Sequence, residues 1–139
     1  MRGAFDADGW PAPPDEVEAA LGWLAELAPD GAELWLDGGH NPDGGRAVAA
    51  AMADLDDRSP APVVLIAAML STKDADGYLA NFKGLARELI AVPLASQMAG
   101  RPAAELAAIA NRVGIRSTTV PGIEAMAGQP TSYNRRSCP

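Results

Sequence analysis

The segment Leu34-Trp35-Leu36-Asp37-Gly38-Gly39-His40-Asn41-Pro42-Asp43-Gly44-Gly45 runs from apolar residues through two glycines into a pair suited to starting a helix. Gly38 and Gly39 open backbone torsions closed to residues that carry a Cβ, and they leave room for a ligand to approach the main chain. Asn41 is a favoured N-cap. Pro42 fits the first helical position, where its missing N–H would have had no intrahelical partner. A strand, a glycine turn and a capped helix in this order form one unit of an open α/β sheet, whose ligands gather at the carboxyl ends of strands. Asp37 and the chain's only histidine, His40, stand in this turn, beside the free N–H groups and positive dipole end of the expected helix. Taken alone, an Asp and a His at this spacing mark a capped turn more often than a binding site. The strand-turn-helix context is what moves the reading toward a ligand.

Strand-like and helix-like segments alternate after this turn. Glu33 to Leu36 is the first expected strand, and Pro42 to Asp57 the first helix, with Val48, Ala51, Met52 and Leu55 on one face. The continuous apolar run Val63 to Met69 reads as a parallel strand covered on both faces. A polar loop, Leu70 to Asp74, then leads to a helix over about 74–85 that turns Tyr78, Leu79 and Phe82 inward. Glu88 to Val92 is a third strand. A loop with Pro93, Gln97 and Gly100 precedes a helix from Pro102 to about Val113, with Leu106, Ile109 and Ala110 on its core side. Arg116 to Val120 is a fourth strand, and Ile123 to Ala127 begins a helix that soon stops. This order, with short connections, predicts a Rossmann-like, mainly parallel sheet with helices on both faces.

Charge and composition narrow the function. A net charge of -7 and a pI near 4.5, with no basic stripe, argue against a nucleic-acid partner. The longest apolar stretch, Ala61 to Leu70, is about half the length of a membrane span. The acidic start lacks the apolar segment of a secretion signal. A single cysteine, Cys138, forms no internal disulfide, which fits a reducing cytoplasm. No Gly-x-x-x-x-Gly-Lys-Ser/Thr occurs in the 139 residues, so the common loop that cradles ATP phosphates is missing from them.

Two motifs carry a family resemblance. Asp37-Gly38-Gly39-His40-Asn41-Pro42, followed by Met69-Leu70-Ser71-Thr72-Lys73-Asp74, resembles the C-terminal domain of the Mur ligase superfamily. The likeness is closest to the bacterial bifunctional dihydrofolate synthase/folylpolyglutamate synthase branch. It covers about residues 31–127, with 1–30 as a linker or hinge remnant and 128–139 as a disordered tail. The resemblance implies a ligase that makes an acyl phosphate from a pterin or folate carboxylate, which the amine of L-glutamate attacks to give an amide. ATP and Mg²⁺ are the implied cofactors. The magnesium ligands are expected in a separate P-loop ATPase domain, the implied partner of this one. Carried over residue by residue, Asp37 would hydrogen-bond the ATP ribose and His40 would sit against the nucleotide. Lys73 and Asp74 would lie where an ammonium can hold the glutamate carboxylate or meet developing phosphate charge. Ser71 and Asn41 rank lower, as supporting or capping residues, and Asp74 also reads as an N-cap.

The chain departs from that pattern in several places. Trp10-Pro11-Ala12 resembles an interdomain hinge that continues with an ATP-contacting arginine in relatives, but Pro13 stands there instead. Nothing after Gly128 resembles the closing strand and its Gly-Ser-x-Tyr-type segment, so the domain reads as truncated at its C-terminal end. A piece of an amide ligase, inactive without the ATPase domain, is the first reading. A non-enzymatic nucleotide-binding module or inert remnant is the alternative, and a domain of another Mur ligase is a further one. A metal site at Asp37, His40 and Asp43 is disfavoured, because no second His or Cys is at hand.

Overall fold

A computed structural model describes residues 33–35, 37–94 and 99–122. The chain divides into two compact units, Met1–Gly38 with Ile123–Pro139, and Gly39–Gly122. The stretch Asp15 to Leu27, whose sequence reads as helical, the helix start at Ile123 to Ala127 and the tail 128–139 lie outside the described residues, as do Trp10 to Pro14, Gln97 and Cys138.

Every regular element described belongs to the unit Gly39–Gly122. Helix α1, Pro42–Arg58, starts as its sequence predicts: the Asn41 side chain accepts a hydrogen bond from the Gly44 N–H at 2.7 Å, and Pro42 occupies the first turn. Strand β1 is Val63–Ala67, helix α2 Ala75–Ala80 and strand β2 Ala86–Ala91. Helix α3, Ala103–Val113, and strand β3, Ser117–Thr119, complete the order. The strands form a parallel sheet in the order β1-β2-β3, with Leu65 opposite Leu89 and Leu89 opposite Ser117. The unit is therefore an α/β fold.

The β2 strand shows why the sheet sits where it does. Glu88, Leu89, Ile90 and Ala91 are all buried, although alternate residues of a strand face opposite sides. Leu89 and Ala91 join the main cluster with Leu79, Phe82, Leu106, Ile109 and Ile115. Fully burying an apolar side chain of this size contributes about 1.5–3 kcal/mol. All three helices feed that one cluster, through Ala49, Leu79 and Leu106.

Helix α3 ends by a left-handed cap. Gly114 takes φ 99°, the Ile115 N–H donates to the Ala110 carbonyl at 2.8 Å, and the Gly114 N–H donates to Asn111 at 3.1 Å. This paired arrangement satisfies carbonyls that the helix would otherwise leave open.

Four expectations are corrected. Glu33 to Trp35 do not form a continuous strand: Trp35 and Gly38 each make a single bridge, and Trp35 is 44% exposed. The apolar run there is short, and Gly38 and Gly39 offer no side chains to pack. On α1 the buried positions are Gly45 and Ala49, with Val48, Met52 and Leu55 half-buried and Ala51 exposed. The contact face starts from a glycine, which hydrophobicity does not register. The helix expected over about 74–85 is regular only to Ala80. Its continuation tightens, with Phe82 N–H donating to Leu79 at 3.0 Å and Lys83 to Ala80 at 3.4 Å, the i to i+3 pattern that closes a helix end. Finally, β1 is half-buried throughout rather than enclosed, because it lies at the margin of the described sheet.

Among the described residues no helix is long and apolar enough to cross a membrane.

Candidate functional site

Two loops meet at the carboxyl ends of β1 and β2, where open α/β sheets hold their ligands. After β1 the chain passes through Met69 and Leu70 into the turn Ser71-Thr72-Lys73. After β2 it returns through Ala99 and Gly100 to Arg101. Leu70 and Gly100 form an antiparallel bridge. The Ser71 N–H and its Oγ both donate to the Ala99 carbonyl, at 2.8 and 2.9 Å, and the Arg101 N–H donates to the Met69 carbonyl at 2.8 Å. The Lys73 N–H closes the turn on the Leu70 carbonyl at 3.1 Å.

Helix α2 follows directly. Asp74 is its N-cap, accepting the Gly77 N–H at 2.9 Å. A Cβ built at Gly77 would fall against the Asp74 carboxylate and 2.7 Å from Pro42 Cγ. At Gly45 a Cβ would lie 2.8 Å from the Tyr78 carbonyl oxygen and 2.9 Å from Asn81 Nδ2. Both contacts are closer than a side chain tolerates, so glycine is required for the first turn of α1 to seat on α2. Asn81 fastens the junction: its Nδ2 donates to Pro42 at 3.1 Å, and to Gly77 and Tyr78 of its own helix. The two sequence motifs, separated in the chain, thus have their helix starts in contact.

The site residues divide accordingly. Asn41 and Asp74 are N-caps of the adjoining helices. Ser71 is exposed, with its hydroxyl turned to Ala99. Lys73 is half-buried in the turn ahead of Asp74, and His40 is half-buried just ahead of Asn41. Asp37 is exposed and belongs to the other compact unit. Nearby carboxylates are matched with cations: Asp43 pairs with Arg46 at 3.0 Å, and Asp76 pairs with Arg112. Among the described residues no three His, Cys, Asp or Glu side chains gather as a metal ion would need.

Three contributors escape a reading by motif. Gly77 and Asn81 sit within an ordinary helical stretch, and nothing local shows what they touch. Arg101 lies ahead of Pro102 in an alanine-rich region, and the two carbonyls that its side chain bonds are 28 and 30 residues away. Comparison of the chain with family models, curated proteins and solved structures finds no match.

Proposed function

We propose that residues 39–122 form the nucleotide- and glutamate-facing domain of an ATP-dependent amide ligase of the Mur type, in its folate branch, working in the cytoplasm. The observation that carries this reading is the contact between the two helix starts, through Gly77, Pro42, Gly45 and Asn81. It supports a single site built from Gly39-His40-Asn41-Pro42 and Met69-Leu70-Ser71-Thr72-Lys73-Asp74.

The donor set suits an anion. The ammonium of Lys73 and the amino-terminal dipole of α1 favour negative charge, and the imidazole of His40 can donate one hydrogen bond to a nucleotide. In the ligation, the glutamate amine attacks the acyl phosphate carbon, a C–N bond forms, the C–O bond to phosphate breaks and the amine loses a proton. Lys73 steadies either the glutamate carboxylate or the departing phosphate charge. Asp74 and Asn41 serve by fixing the helix starts. Magnesium binding and phosphate transfer belong to a P-loop ATPase domain, since these residues offer neither ligand set nor loop.

The capping roles of Asn41 and Asp74 also fit a second reading, a non-enzymatic α/β module that binds a nucleotide without ligating anything. Calorimetric titration of the full chain with Mg-ATP, and separately with L-glutamate, tests the first. Saturable binding that weakens about tenfold in Lys73→Gln, a loss of about 1.4 kcal/mol, supports it. Binding of neither ligand overturns both readings, and nucleotide binding indifferent to Lys73 leaves the module.

A further inference from the structure

Arg101 is the most deeply committed charged side chain near the site. Its side chain is only 10% exposed, yet it contributes nothing to the apolar cluster. One guanidinium nitrogen, Nη2, donates to the Ser71 carbonyl at 3.1 Å and to the Lys73 carbonyl at 2.8 Å. The other, Nη1, pairs with Glu105 in the first turn of α3. Among the described residues Nε has no hydrogen-bond partner although it is buried, a cost accepted only where the rest of the group is well used. The backbone of Arg101 is also tied to the same loop, through Met69.

The geometry points to Arg101 as the positioning residue for Lys73. A guanidinium presents its N–H donors in a rigid plane, so bonding the carbonyls of Ser71 and Lys73 together fixes the turn between them. Glu105, anchored on α3, holds the guanidinium in place. The turn 71–73 is thereby referenced to a well-packed helix rather than left to its own short-range bonds. Charge need not reach the ligand from Arg101 itself. Its effect passes through where the Lys73 backbone, and with it the ammonium, is held. A lysine at 101 would keep the pairing with Glu105 but would reach the two carbonyls as a point charge without the planar fork.

This rests on the ligand role given to Lys73 above, and two arms separate the two ideas. Amide hydrogen exchange of the full chain is read first, without ligand. In Arg101→Gln the Ser71 and Lys73 amides exchange at least tenfold faster while those of Leu89 and Ile115 change less than twofold, and Arg101→Lys falls between. Unchanged Ser71 and Lys73, or acceleration spread evenly to Leu89 and Ile115, overturns the inference. Mg-ATP affinity is then compared in wild type, Arg101→Gln, Lys73→Gln and the double variant. Arg101→Gln weakens binding about fivefold alone and adds nothing once Lys73 is gone; additive losses overturn the inference. If the wild type binds no Mg-ATP, the ligase reading falls, and the exchange arm still decides the role of Arg101.

Discussion

Helices α1 and α3 are held by opposite means. The α3 helix buries Leu106, Ala107, Ile109 and Ala110 over 11 residues, whereas α1, with 17 residues, buries only Gly45 and Ala49. One is fixed by apolar side chains filling a core. The other is fixed at its first turn by the absence of side chains, with Pro42, Gly45 and Gly77 letting backbones approach and Asn81 tying them. Core packing is worth more energy but tolerates sliding and repacking. A glycine contact closed by a hydrogen bond stabilises less and specifies position more. The end of α1 that carries His40 and Asn41 is thus located by fit against α2, while the stability of the unit resides in α3, β2 and the end of α2.

Leu106→Ala, at a fully buried position, lowers unfolding free energy by about 2–5 kcal/mol, read from the denaturant midpoint. The contacts of Gly45 and Asn81 at the α1–α2 junction persist in the fraction that stays folded. A loss below about 1 kcal/mol would mean that α3 is not the stabilising element.

Gly45→Ala should cost less and disturb more. The new Cβ meets the Tyr78 carbonyl oxygen at 2.8 Å, and overpacking of this kind costs about 1–3 kcal/mol. Alanine's better helix propensity returns up to about 1 kcal/mol. Amide shifts at residues 41–45 and 77–81, with those of α3 unmoved, are the expected result. A spectrum unchanged at both places would contradict the idea that close approach locates α1.

Asn81→Ala removes donors to Pro42, Gly77 and Tyr78. It should destabilise by about 1 kcal/mol, with faster exchange at the start of α1. Asn41→Ala removes the cap on Gly44 and costs about 0.5–2 kcal/mol, while Asn41→Ser retains most of it. The smallest effect belongs to the far end of α1. Asp54→Asn breaks an exposed pair with Arg58 and should alter stability by less than about 1 kcal/mol. A larger change there would show that α1 is anchored along its length.

The same contrast explains what could be read from the chain alone. The stripe Leu106, Ile109, Ala110 is visible because burial follows apolar side chains at helical spacing, and the strand over Glu88 to Val92 is visible because Leu89 to Val92 run apolar without a break. The Asn41-Pro42 start is a local signal and needs no partner. Ala51 lies off the contact face of α1 because that face begins at Gly45, which carries no apolar side chain to mark it. Arg101 stayed hidden because its meaning lies in carbonyl groups of Ser71 and Lys73, brought near only by the sheet. The helix start at Asp74 was legible as a cap, and its contact with Pro42 was not, since that contact runs through Gly77.

In the proposed function, the turns 39–44 and 71–74 face one ligand. A two-dimensional amide spectrum of the full chain, titrated with Mg-ATP, tests it most directly. Saturable shifts that rise together, with one affinity, are expected at residues 39–44 and 71–74, with α3 beyond Leu106 unmoved. Shifts at one turn only, or at neither, would contradict it.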